Sequence, residues 1–415
     1  MRRIKKMSNY KPIHEDLIKI TKYEVLSPLP DPFVFEDGHR LTSPDEWNER
    51  RKEIYKSAIG LQFGPTIPDP EFIDIQPMYY SAQGFPTGYR ITTGTRANPV
   101  SFCMYIFKAK SDKPAPAVIT GDLCFKMLFD REWTSRFTDN GITLVAFNRC
   151  ELAPDVADYN VNGLNKSTGE YTIAKKYWDD IRESDCGGQL RVTYPDIDFS
   201  TTMAWAWGYS RCVDALEMLG ITDLNMTVFT GLSRGAKTCA LAGALDERAA
   251  IVNPCATCMG AYSSYRINIE AITEDGNVRP SEPLSNIFFH FPQWMGRGMK
   301  DYIGKEETLP FDSHHFKAMI APRVLFVAEA ASDIWANPVG SWQTTLAAGE
   351  VYKMLGCEEN LFWYFRAGYH DQTLEDVDML INIIKHKTEG AEISDKFFKT
   401  PFRPMPLAYS WKSPI

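Results

Sequence analysis

Six short apolar runs, each closed by a polar or glycine-containing loop, constrain this chain more than any other feature. They are APAVITGD (115–122), ITLVAFNR (142–149), MTVFTGLS (226–233), AAIVNP (249–254), RVLFVAEA (323–330) and LFWYFRAG (361–368). Runs of this length without alternation fit strands covered on both faces, as in a parallel sheet. Helix-like stretches lie between several of them: 201–219 before MTVFTGLS, 237–248 after it, 340–356 before the last run and 374–387 after it. Such alternation implies right-handed βαβ units. The expected class is α/β, with a doubly wound, mostly parallel sheet and helices on both faces.

Upstream, QPMYYSA (76–82) and residues 89–109 read as edge and meander strands, rich in β-branched and aromatic residues. Residues 1–70 are punctuated by PLPDPF and GPTIPDP. Between these lies a charged, helix-like piece (43–60), in which Ser43 is the expected N-cap with Glu46 three residues on. This region reads as an N-terminal extension packed on a catalytic domain of 71–395, with 396–415 as a C-terminal tail. The segment 265–320 is too long for a simple connection. It reads as an insertion, before the strand 323–330, that shapes a binding site.

Bulk properties exclude several classes. A net charge of −8, with no long block of one sign, argues against a nucleic-acid partner. No run approaches the roughly 18 apolar residues of a membrane helix. The N-terminus begins basic but continues polar and charged, so it lacks the apolar core of a signal peptide. A cytoplasmic protein is the expectation, and translation from Met7 would remove the basic residues. The nine cysteines are odd in number and scattered, which is not a disulfide framework. Cys255 and Cys258 form a CxxC without a second metal-ligand pair. They read as small residues in a buried strand-to-loop passage.

TGLSRGAK (230–237) places a serine between two glycines, directly after one apolar run and directly before a helix-like stretch. That is the setting of a nucleophile elbow, where a sharp turn holds a hydroxyl clear of the sheet. The alternative is a helix cap without chemistry. Arg234 follows the serine, and its backbone N–H opens the helix where an oxyanion would sit. A serine nucleophile needs a base, and in this arrangement the chain order is Ser, acid, His. His370, after the last run and before the last helix, suits the base. His314 and His315 precede a strand and read as capping or packing residues. The acid is expected after RVLFVAEA, where Asp333 sits. Glu329, nearer the strand, and Asp371, beside His370, are the alternatives.

Several long segments then resemble one family, the glucuronoyl esterases, carbohydrate esterases of the α/β-hydrolase fold. They are GLSRGAKTCALAGALDERAAIV, the stretch 309–342 with its D-x-W-A-x-P loop, and AGYHDQTLED, with FNRCELAPD and MAWAWGYSRCVDALE upstream. The resemblance spans roughly residues 95–390. It implies Ser233 as nucleophile, His370 as base, Asp333 as acid and Arg234 as oxyanion donor. It also implies that Lys237, Trp335 and Trp294 contact the sugar. A tryptophan face beside a cation suits a sugar physically as well. Two departures stand out. The segment after AAIVNP, PCATCMGAYSSYR, has no acid where relatives often carry one, and Gln293 replaces a frequent histidine.

The expected activity is therefore that of a serine carboxylic-ester hydrolase. Its substrate would be a small carbohydrate ester or oligosaccharide, chiefly an ester of glucuronic acid, 4-O-methylated or not. No metal or organic cofactor is called for. The alternatives are an acetyl or general esterase, which would not depend on Lys237, and a non-catalytic carbohydrate-binding homologue.

Overall fold

The computed structural model describes residues 18–79, 86–111, 113–155, 188–273 and 275–414. The basic N-terminal stretch and the last three residues of QPMYYSA lie outside them. The strands, in chain order, are β1 (Lys19–Val25), β2 (Phe72–Tyr79), β3 (Thr87–Gly94), β4 (Pro99–Phe107), β5 (Ala115–Thr120), β6 (Thr143–Phe147), β7 (Thr222–Leu232), β8 (Ala249–Cys255), β9 (Ile267–Ile272), β10 (Val278–Pro280), β11 (Val324–Ala330) and β12 (Leu361–Arg366). The principal helices are α1 (Trp47–Ile54), α2 (Arg131–Asp139), α3 (Thr201–Leu219), α4 (Arg234–Leu245), α5 (Pro338–Met354) and α6 (Leu374–Glu389). All six apolar runs form strands, and the four helix-like stretches form α3 to α6. Among the described residues, no helix is long and apolar enough to cross a membrane.

The chain divides into two compact units, each built from separate stretches. The first comprises the chain up to Ile59, Asn225–Glu282 and Glu306 onward. In it β7 pairs with β8, β8 with β11 and β11 with β12, all parallel. α4 connects β7 to β8, and α5 connects β11 to β12. Every residue of β11 and β12 is buried, which requires cover on both faces and explains the unbroken apolar runs. β1 pairs antiparallel with β9, and β10 lies on the other side of β9. Ser43 caps its helical turn with Glu46 in the reciprocal capping box expected of that spacing.

Arg266 ties this unit together. It is buried, with Nε donating to Ser27 Oγ at 3.0 Å and Nη1 to the Phe311 carbonyl at 2.6 Å. Nη2 donates to the carbonyls of Glu307 (3.1 Å) and Leu309. Asp312, fully buried, is its counter-charge and also accepts from the backbone N–H of Ser313 and Tyr265. His314 and His315 sit on the short helix that Asp312 caps. Burial holds both imidazoles well below the usual range, in keeping with packing residues.

The second unit comprises Gly60–Leu224 and Pro283–Lys305. Its strands lie in the order β5-β6-β4-β3-β2, parallel between β5 and β6 and antiparallel beyond. α3 is apolar nearly all round and mostly buried. Ser200 caps its start, and Gly220, at φ 62°, ends it. The Tyr209 hydroxyl on α3 accepts from Gly121 N–H at 2.9 Å and fixes the chain leaving β5.

Arg266→Met removes one partner of a buried pair and strands the Asp312 carboxylate. The expected loss of stability is about 3–5 kcal/mol, read by denaturant unfolding. A loss below about 1 kcal/mol would show the network to be ornamental.

Candidate active site

Parallel neighbouring strands end on the same side, so the loops leaving β11 and β12 emerge together. The ladder continues past their ends, with Ala331 N–H donating to the Arg366 carbonyl (2.8 Å) and Ser332 N–H to the Gly368 carbonyl (3.1 Å). These bonds bring Asp333 and His370 together. Nδ1 of His370 donates to Asp333 Oδ2 at 2.6 Å, which leaves Nε2 facing away from the carboxylate. The other carboxylate oxygen, Oδ1, accepts from Ala336 N–H at 3.4 Å. Asp333 is buried, whereas His370 is 38% exposed. Burial pushes the His370 imidazole down, but the hydrogen bond and charge of Asp333 outweigh it and raise it above its usual value.

Neither alternative carboxylate meets the ring. Glu329 lies within β11, and its Oε1 accepts from Ser341 Oγ at 2.8 Å. Burial pushes its carboxyl up to about 8. Asp371 turns back on the chain, with Oδ1 accepting from Gln372 N–H at 2.9 Å.

Ser233 stands between β7 and α4 with φ 59° and ψ −119°. A left-handed backbone at a residue other than glycine is strained, and strand-to-helix elbows use it to lift a hydroxyl out of the sheet. Gly231 must be glycine, because a Cβ there would run into the backbone of Gly235. The cap alternative does not fit, since the Ser233 side chain makes no capping hydrogen bond although it occupies the N-cap position. Ser233 N–H donates to the Cys255 carbonyl at 3.0 Å, docking the turn on β8. Arg234 is the first helical residue, and N–H groups of a first turn have no acceptor within the helix.

Lys237 is buried, not solvated, and Nζ donates to the Thr257 carbonyl at 2.5 Å. Trp335 is 39% exposed. Trp294 is buried and packed, with one face stacked on Phe291 at 3.8 Å and the ring set edge-on to Trp205. Its Nε1 donates to Asp155 Oδ1 at 3.3 Å. Stacking on Phe291 occupies one face of the indole. Gln293 is buried beside it. Cys255 ends β8 and Cys258 lies in the loop after it. Both are buried free thiols, raised well above the usual thiol range by burial, as a packed strand-to-loop passage requires.

Three further features escaped the sequence reading. Glu282, buried, accepts from Met259 N–H at 3.2 Å, so a carboxylate from a distant segment enters the loop that lacks an acid of its own. Its backbone N–H donates to the Trp335 carbonyl at 3.0 Å. Burial raises the Glu282 carboxyl, while the nearby Lys237 and His370 oppose that rise. Arg366 grips the His370 loop from both sides, Nη2 donating to the Tyr369 (3.1 Å) and Asp371 (2.5 Å) carbonyls. Its Nε donates to Asp376 Oδ2 at 2.7 Å, tying that loop to α6. Lys317, buried behind α5, donates to the Ser341 carbonyl and to the hydroxyls of Thr344 and Thr345 at 2.7–2.9 Å. Only Arg366 left a sequence trace, as a lone cation closing an apolar run.

Residues 169–356 match the family described as "Glucuronyl esterase, fungi". A 4-O-methyl-glucuronoyl methylesterase 1 from Wolfiporia cocos is 27% identical over 387 residues, covering 90% of this chain and 84% of that protein. Carbohydrate esterase MZ0003, from an unknown prokaryotic organism, is also 27% identical, covering 91% and 93%. Among solved structures, a carbohydrate esterase family 15 glucuronoyl esterase from Caldicellulosiruptor kristjansonii superposes with a TM-score of 0.75 at 25% identity, covering 94% of this chain and 97% of that one. With the strand-elbow-helix passage and the two strand-end loops already in place, these likenesses identify the fold as that of the α/β hydrolases, and the chain is similar to the glucuronoyl esterases over most of its length.

Proposed function

We propose that this protein is a serine carboxylic-ester hydrolase acting on esters of glucuronic acid, including the 4-O-methylated sugar, through Ser233, His370 and Asp333. The contact between Asp333 and His370 carries the reading, because a buried carboxylate there fixes one tautomer and leaves Nε2 as the base. The names of the curated relatives, 4-O-methyl-glucuronoyl methylesterases, support the substrate class.

In this mechanism His370 Nε2 takes the Ser233 proton as the hydroxyl oxygen attacks the ester carbonyl. Backbone N–H groups at the start of α4, led by Arg234, stabilise the oxyanion. His370 then gives its proton to the leaving alcohol. Water, deprotonated by the same base, releases the acid from Ser233. Asp333 stabilises the imidazolium in both halves, and Arg366 holds the base's loop in register. Lys237 and Glu282 supply a cation and a carboxylate for sugar hydroxyls. Trp335, not the packed Trp294, offers an accessible indole.

The deciding assay is hydrolysis of a benzyl glucuronate ester and of an aryl acetate. The wild type should hydrolyse the glucuronate ester, and Ser233→Ala should lower the rate by about 10⁴-fold or more. Turnover of the acetate alone would move the substrate to the acetyl-esterase reading, and turnover surviving in the variant would remove Ser233 as nucleophile.

A base must be neutral to act, and His370 is raised above 6.5. Log kcat/KM should therefore fall as pH drops through a value above 6.5 and level off at higher pH. Asp333→Asn should cost roughly 10⁴-fold in kcat through loss of the productive tautomer. An acid limb well below pH 6.5 would contradict the pairing.

Lys237→Met should raise KM for the glucuronate ester about 10- to 100-fold, the worth of one charged hydrogen bond, and leave aryl acetate nearly unchanged. Equal effects on both substrates would make Lys237 a structural cation.

A further inference from the structure

His370 and Ser233 leave the sheet from different strands. The base follows β12 and the nucleophile follows β7, with β11 and β8 between them. Three strand spacings separate the two strand ends, about 14 Å, and no ladder bond spans that distance. The contacts described above fix the His370 loop to the loop after β11, through Asp333, and to α6, through Arg366. None of those contacts holds the loop against the elbow.

The Gln372 side chain makes that connection. Gln372 follows His370 by two residues and is buried, and its Nε2 donates to Thr230 Oγ1 at 3.2 Å. Thr230 lies in β7, three residues ahead of Ser233. The same Nε2 lies 3.4 Å from Cys255 Sγ, and Cys255 is the residue whose carbonyl docks the elbow. The Thr230 hydroxyl donates onward to Asn253, with Oδ1 at 2.9 Å and the carbonyl at 3.1 Å. Asn253 Nδ2 in turn donates to the Phe326 carbonyl at 3.0 Å. One row of polar groups therefore joins the His370 loop to β7, β8 and β11. Thr230 and Asn253 are fully buried members of otherwise apolar runs. Packing alone does not call for an amide at position 372. Gln372 Oε1 is buried without a hydrogen-bond partner among the described residues, a cost that a methionine of similar length would avoid.

We propose that Gln372 is a positioning residue that sets how far His370 Nε2 stands from the Ser233 hydroxyl. The inference rests on the assignment of nucleophile and base under the proposed function. Asp333 sets which way the ring faces, and Arg366 holds the carbonyls of its loop. Gln372 sets the reach of that loop across the sheet. Misplacing a reacting group by about 1 Å costs roughly 10²-fold in rate.

The test is steady-state kinetics of the full-length protein on the benzyl glucuronate ester and the aryl acetate, with thermal unfolding beside it. Gln372→Met should lower kcat by about 10- to 100-fold on both esters and leave KM within about twofold. Its unfolding midpoint should stay within about 4 °C of the wild type, since losing the bond and losing the unpartnered acceptor offset each other. The acid limb of the pH profile should not move, because the Asp333 contact is intact. Thr230→Val removes the same bond from the β7 side and should reproduce the loss, with the double variant no worse than either single one. Thr230→Ser keeps the hydroxyl and should retain most of the rate. An unchanged kcat in Gln372→Met, a rise in KM in its place, or losses that multiply in the double variant would overturn the inference. If Gln372→Met folds poorly, the two Thr230 variants decide. A wild type inactive on both esters would remove Ser233 and His370 as the reacting pair, and the inference with them. An active wild type matched by Gln372→Met and Thr230→Val would remove the inference alone.

Discussion

The parallel pairing of β11 with β12 is the constraint on which the candidate site rests. Both strands are buried along their whole length, and a one-residue slip would turn every side chain to the opposite face. Register is thereby fixed, and with it the relative height of the two loops that leave the strands. Asp333 uses both carboxylate oxygens, one on the ring of His370 and one on Ala336 N–H. Arg366, the last residue of β12, holds the carbonyls flanking His370. Sheet geometry therefore sets the imidazole–carboxylate contact before any substrate arrives, which is what preorganisation requires.

Behind this contact lie ionisable groups that burial drives toward neutrality. Glu329 is pushed up to about 8 and Lys317 down to about 7, with Ser341 bonded to both. Glu329 also raises the His370 imidazole, but it ranks behind the hydrogen bond and the charge of Asp333, the carboxylate that touches the ring. Two carboxyl groups close to one histidine thus sit in different environments, one hydrogen-bonded to the ring and one desolvated within a strand.

The sheet and the elbow were legible because each has a local cause. Two-sided burial writes itself as an unbroken apolar run, and the elbow writes itself as glycines either side of a serine between strand and helix. Position after a strand was enough to rank Asp333 above Glu329 and Asp371. Glu282 was not legible. It reaches Met259 from a segment 23 residues further on, and no spacing rule links β10 to the loop after β8. For Trp294, a tryptophan suits a sugar and a core equally well in sequence. Only its stacking on Phe291 shows which surface is already taken. Lys237 was left between solvent and site, and burial decided for the interior. For Glu282 and Lys237 the missing information was a contact between separated segments.

The pairing of β1 with β9 has a consequence for how the chain is made. Lys19–Val25 is synthesised about 240 residues ahead of its partner, Ile267–Ile272. At about 5–20 residues per second, that is roughly 10–50 s with an unpaired strand edge exposed. Tyr23 waits longer still, since its hydroxyl donates to the Pro406 carbonyl and accepts from Gln343. The three exposed charged residues of KITKYEV, Lys19, Lys22 and Glu24, keep that orphan edge soluble until the chain that covers it exists.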